Sequence, residues 1–126
     1  MKKLGVVGLG TIGRSVVLAA DRGEIPFHIA GAHHRHPETS ASFRASLKWP
    51  ISVLGLEELI TRSDLVFEAA SRPAVEQICE IALPQGKDVV VASVGALLER
   101  PDLIDLARQH GARIYAPSGG MIGLDG

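Results

Sequence analysis

The sequence predicts an α/β protein: a doubly wound parallel sheet of about six strands in a single domain. Three observations carry this. Short apolar segments alternate with segments of helical spacing along the chain. The strand-like segments are apolar at nearly every position, as strands are when both sheet faces are covered. The first of them, residues 4–7, opens through Gly8-Leu9-Gly10-Thr11-Ile12-Gly13 straight into a helical pattern. That strand–turn–helix unit is the one from which such sheets are wound.

The elements follow in order. Residues 4–7 form strand one. Residues 11–21 form helix one, with Ile12, Val16 and Ala19/Ala20 on one face. Arg22-Gly23-Glu24 ends it, with Gly23 as a left-handed cap. Residues 27–32 are strand two. The stretch 33–49 is the least regular: His33-His34-Arg35-His36-Pro37 reads as a loop, and 38–47 holds a short helix. Residues 51–53 are a short strand. Residues 56–61 are a short helix with Leu56, Leu59 and Ile60 inward. Residues 64–70 are a strong strand. Residues 73–83 are a helix burying Val75, Ile78, Cys79 and Ala82, and Pro73 suits its first turn. Residues 88–92 are a strand of valines. Residues 101–110 are a helix that begins on Pro101 and stops at Gly111, and 113–116 are the last strand. A Rossmann-type winding of these strands gives the order 3-2-1-4-5-6.

Composition bounds the function. The 126 residues are 46% hydrophobic and 21% charged, an ordinary globular balance. A chain of this size buries roughly two-thirds of its unfolded surface, enough for one domain with a core. The net charge is −1 and no basic stripe stands out, so nucleic acid is not expected as a partner. Cys79 is the single cysteine, so no internal disulfide forms, and it reads as a small buried hydrophobe. Met1 leads straight toward a strand without a signal-like segment, and no apolar run has membrane-spanning length. The expected location is the cytoplasm.

In sheets of this kind ligands bind beyond the carboxyl ends of the strands. The expected cofactor-binding residues therefore come from the loops there. In the first loop, Gly8 permits the sharp turn, Gly10 lets a pyrophosphate approach the backbone, and Gly13 lets the helix pack closely. Free N–H groups at Thr11 and Ile12 and the helix dipole then hold the phosphates. The second loop lies where an NAD site usually carries an acid for the ribose 2′-hydroxyl. Here His33, His34 and Arg35 stand instead. Arg and protonated His attract a 2′-phosphate that a carboxylate would repel, which favours NADP over NAD; the alternative is a solvated polar loop. His34 and His36 can share a face, but no Cys or acid completes a ligand set, so no metal is expected. Ala70 and Ser71 follow strand four, Ser71 as a helix cap or as a cofactor contact. Arg72 faces water or an acidic substrate, water being favoured. Ser93 ends strand five on the nicotinamide side. Ser118 and Gly119 follow the last strand, in a glycine-rich segment that lets backbone approach a ligand.

At this point the chain resembles the L-aspartate dehydrogenase family, relatives of the homoserine dehydrogenase cofactor domain. The matching pieces are the glycine loop, then Glu68-Ala69-Ala70-Ser71, and above all Pro117-Ser118-Gly119-Gly120-Met121-Ile122-Gly123-Leu124-Asp125. The last is similar to the family's P-S-G-A-x-x-G-L-D segment, where the cofactor domain meets the catalytic domain. The resemblance covers the whole chain but about half of a family member. It implies reversible NAD(P)-linked oxidation of aspartate to iminoaspartate, which hydrolyses to oxaloacetate and ammonia or feeds quinolinate synthesis. It also implies that the catalytic histidine and most substrate contacts lie in a second domain absent from this chain. None of the five histidines matches the catalytic one, so no catalytic residue is expected here. His33 and His34 replace an acid that some family members carry.

A second reading is a free-standing dinucleotide-binding module, acting as a sensor or as a subunit of another chain. Met121, Ile122 and Leu124 would then be exposed and invite a partner, including a homo-oligomer formed through this C-terminal tail. Dihydrodipicolinate-type reductases share the glycine loop but differ after the last strand.

Overall fold

The computed structural model describes residues 1–116. The chain runs β1 (Lys2–Val7), α1 (Thr11–Asp21), β2 (Phe27–His33), α2 (Ala41–Ala45), α3 (Leu56–Arg62), β3 (Leu65–Glu68), α4 (Arg72–Ala82), β4 (Asp88–Val91), α5 (Gly95–Glu99), α6 (Asp102–Gln109) and β5 (Ile114–Tyr115). Short 3-10 turns at Pro37–Ser40 and Leu83–Gln85 join their neighbours.

The strands form one parallel sheet in the order β2-β1-β3-β4-β5. The sequence predicts six strands, and the described residues form five. The missing one is the segment around residue 53, which makes a single parallel bridge from Val53 to Ala32. Ala32 N–H donates to Ser52 O (3.0 Å) and Leu54 N–H to Ala32 O (2.8 Å). Pro50 stands before this segment and Gly55 caps α3 just after it, so the pairing stops there. The predicted 3-2-1-4-5-6 order therefore survives with its outer strand shrunk to one bridge.

Side chains alternate between two layers, as strand geometry requires. Val66, Val89, Val91 and Ile114 pack with Leu59, Ile60, Val75 and Ile78 under α3–α6. Leu4 and Val6 pack with Val17 of α1 on the opposite face, with Phe43 of α2 against them. That second face is not covered throughout. Val90 and Tyr115 are only half-buried and belong to neither cluster, because among the described residues the helices of that layer reach only over the first strands.

The register sets the functional edge. Val7 pairs with His33 on one side and with Glu68 on the other, and Glu68 pairs with Val91. Four strands therefore end in one row. The loops beginning at Gly8, His34, Ala69 and Ala92 leave the sheet side by side, across three strand spacings or about 14 Å.

Candidate functional site

A cleft of about 430 Å³ opens above this row, within the range of ligand pockets. Its walls are the Val7–Gly10 turn, the His33–Arg35 loop, residues 69–71 and the start of α4, with Leu56 at one side.

The three glycines differ in what surrounds them. Gly8 has φ +97°, and a Cβ there would lie 2.6 Å from Ala69 O. It makes the turn and lets the β3 loop come close. A Cβ on Gly13 would lie 1.8 Å from Gly8 O, so α1 seats directly on the turn. A Cβ on Gly10 would meet nothing within 4 Å. Gly10 lines the cleft, and its missing side chain leaves an open cradle there that any larger residue would fill. α1 begins at Thr11 with no side-chain cap and no acid in its first turn. The first-turn N–H groups and the positive end of the dipole stand beside this cradle, as binding of an anionic group requires. The residues present thus fit a pyrophosphate. Thr11, Ile12 and Gly13 belong to that first turn rather than to the cleft wall.

The basic loop divides its work. His33 Nδ1 lies 2.8 Å from Leu54 O and so carries the proton it donates there, holding the outer segment. Leu9 N–H donates to His34 Nδ1 (3.3 Å), and His34 Nε2 lies 3.0 Å from Thr39 Oγ1. Thr39 gives its own proton to His36 O (2.8 Å), so it accepts from His34. This arrangement makes His34 a neutral ring with its proton on Nε2. Partial burial, then the nearby charges of His36 and Arg14, hold its pKa below the ordinary imidazole value, with Glu38 opposing. The Leu9 bond is therefore complete near neutrality and is lost as pH falls through that lowered value. Arg14 Nε donates to Leu9 O (2.9 Å) and its Nη2 to Thr39 O (3.0 Å), clamping the loop to the glycine turn. Arg35 is exposed on the cleft rim and has no hydrogen bond or ion pair among the described residues.

Beyond the glycine turn, Ala70 and Ser71 line the cleft. Ser71 caps α4, with Ala74 N–H donating to its hydroxyl at 3.4 Å. Arg72 is exposed and pairs with Glu99. Ser93 does not line the cleft. Its hydroxyl donates to Glu68 Oε2 (2.9 Å) and its N–H to Glu68 Oε1 (2.8 Å). Ser118 and Gly119 lie outside the described residues.

Sequence reasoning noted Glu68 only as part of the segment that ends its strand and gave it no role of its own. It is fully buried, and its two oxygens also accept from Ala70 N–H (2.8 Å) and Ala92 N–H (3.0 Å). The available signal was a lone acid closing an otherwise apolar strand. Leu56, Pro73, Ala74 and Gln77 also line the cleft, supplied by α3 and α4. Cys79 is buried as expected, its thiol pushed up to about 12 by burial and then by Glu68.

Comparison with known proteins places this geometry. A family model described as "Homoserine dehydrogenase, NAD binding domain" matches residues 8–117. The L-aspartate dehydrogenase of Methanocella arvoryzae is 39% identical, covering 99% of this chain and 47% of that protein. The L-aspartate dehydrogenase of Bradyrhizobium diazoefficiens is also 39% identical, covering 98% of this chain and 44% of that protein. This chain spans about half the length of the curated relatives it matches. A biliverdin reductase from Synechocystis sp. PCC 6803, solved with biliverdin and NADP+, superposes with a TM-score of 0.74 at 26% identity, over 90% of this chain and 37% of that one. No helix of the described residues is long and apolar enough to cross a membrane. The cofactor class is a nicotinamide dinucleotide, and the chain belongs to the family of homoserine dehydrogenase NAD-binding domains.

Proposed function

We propose that this chain is the cofactor-binding domain of an L-aspartate dehydrogenase-like oxidoreductase and takes NADP in preference to NAD. The observation that carries the preference is Arg35: a guanidinium on the cleft rim with no partner among the described residues. The nearby carboxylate, Glu38, pairs with His36 rather than with Arg35, and a guanidinium suits a 2′-phosphate in charge and in donor geometry. His34 supports the same reading differently from the way the sequence suggests. As a neutral acceptor for Leu9 N–H it secures the glycine turn, with no negative charge to repel a 2′-phosphate.

In this reading Gly8, Gly10 and the first turn of α1 hold the pyrophosphate, and His34 and Arg35 border the adenosine ribose. His33 props the loop from behind. Ala70 and Ser71 border the far half of the cofactor, with Ser93 assigned to it as well; the contacts expected of Ser118 and Gly119 lie outside the described residues. The dinucleotide supplies hydride transfer when bound, and the protein orients it. The amino-acid substrate, as well as the group that moves its proton, belongs to a second domain of the whole enzyme. The support for this is the near 40% identity to L-aspartate dehydrogenases about twice as long. A cytoplasmic location accords with the single buried cysteine.

Calorimetric titration of the 126-residue chain with NADPH and with NADH tests the reading. NADPH is expected to bind more tightly, and tighter NADH would retire the 2′-phosphate assignment. Arg35→Glu is expected to weaken NADPH by roughly tenfold or more while changing NADH little; equal loss for both would remove Arg35 from the phosphate site. His34→Asp keeps an acceptor for Leu9 N–H and adds a carboxylate beside the ribose. Its NADH-to-NADPH preference is expected to rise by roughly tenfold.

A further inference from the structure

We infer that the buried carboxylate of Glu68 sets the redox preference of the bound cofactor, favouring the oxidised nicotinamide. This rests on the cleft being the dinucleotide site. The sheet order fixes the path of such a ligand. Its adenosine ribose lies at the end of β2 and its pyrophosphate at the end of β1, against the glycine turn. The remaining half must then cross the end of β3, over residues 69–71, which line the cleft, toward the β4 loop at 92–93, which does not.

Glu68 lies directly under that crossing. It is the last residue of β3, wholly buried, and its carboxylate is the common acceptor for one amide of the first loop and two of the second. Three of its four donors are backbone N–H groups, which only donate, and Ser93 Oγ completes the set. Neither oxygen faces an Arg or Lys: no ion pair joins Glu68 among the described residues. The negative charge is thus held by dipoles rather than cancelled by a cation.

The nicotinamide ring carries a positive charge when oxidised and none when reduced. A fixed negative charge beneath the loop that the ring would cross attracts the first form and is indifferent to the second. Glu68 also joins the two loops, so it acts as a positioning residue as well. The two effects separate, because bracing concerns both redox forms equally whereas charge concerns one.

The test is the ratio of the dissociation constants for NADP+ and NADPH, measured by titration on the full chain and three variants. Glu68→Gln removes the charge and is expected to shift the ratio toward the reduced form by roughly three- to tenfold. Glu68→Asp keeps the charge but shortens the reach; affinity for both forms falls and the ratio holds. Ser93→Ala removes one donor and leaves the carboxylate less neutralised, moving the ratio modestly toward the oxidised form. An unchanged ratio in Glu68→Gln, with both affinities reduced alike, overturns the inference and leaves only a brace. If Glu68→Gln does not fold, the other two decide, and a ratio that Ser93→Ala leaves fixed or moves toward the reduced form overturns it equally. The same shifts are expected with NAD+ and NADH, since the ring is common to both pairs. If the unmodified chain binds no dinucleotide, the site itself falls and this role with it; binding with an unshifted ratio removes the role alone.

Discussion

Gly10→Val is expected to abolish dinucleotide binding while leaving the fold intact. Gly10 sits at the N-cap of α1 with φ −85° and ψ −157°, an extended conformation of negative φ, so no left-handed strain opposes a side chain there. A Cβ there touches nothing within 4 Å, so the side chain enters the cleft without disturbing the protein. That open space is where the pyrophosphate must approach the first turn of α1, and an isopropyl group keeps it out of reach of the N–H groups. The expected loss is at least about 100-fold in affinity, near 2.7 kcal/mol. The melting temperature should hold or rise slightly, because the glycine's freedom in the unfolded chain is reduced. Calorimetry and thermal melting on the same sample check both halves. Unchanged affinity in a folded variant would remove the glycine turn from the site.

Much of this was legible in the sequence because it rests on local chemistry. The strand–glycine–helix unit at the start has its turn and cap close together in sequence, and α1 occupies the predicted residues 11–21, but its buried face runs through Gly13 and Val17, and Ile12, expected inward, is exposed. Pro73 in the first turn of α4 and the valine strand at 88–91 were legible in the same local way. What escaped depends on pairings between distant segments. Residues 51–53 have strand-like composition, but their pairing ends after one bridge because α3 starts so soon afterwards. α5 is a single turn and a half between Gly95 and Glu99, too short for a helical period to show. Glu68 read as part of a strand end, since its role exists only once Ala70, Ala92 and Ser93 converge on it. The basic loop was legible as a group but not in its division of labour. Histidine charge was expected at His34, whereas the N–H of Leu9 makes that ring an acceptor and leaves the charge to Arg35.

Gly13→Ala should do the reverse of Gly10→Val: it should damage the fold before it touches the ligand. The backbone at Gly13 is ordinary helix, so no conformational strain opposes alanine, and helix propensity alone would favour it. What opposes it is contact. The added Cβ would lie 1.8 Å from Gly8 O and 2.9 Å from the carbon of the same carbonyl. These are backbone atoms of the turn, so no side-chain rotamer can relieve the clash. Gly8 in turn cannot retreat, because its N–H is bonded to His33 O at 2.8 Å and Ala69 O lies just beyond it. The helix must lift from the sheet, loosening the contact of Val17 with Leu4 and Val6 beneath it. Overpacking against rigid neighbours costs about 3 kcal/mol, which for a domain of this size lowers the melting temperature by on the order of 10 °C. Cofactor affinity would fall too, but only with the fold, since the first-turn N–H groups move when the helix does. Gly10→Ala is the matched control, with the same added atom three residues earlier and no expected loss of stability. A Gly13→Ala variant as stable as the parent would mean that α1 does not seat on the turn as closely as described. The phosphate cradle, whose geometry depends on that seat, would then have to be redrawn.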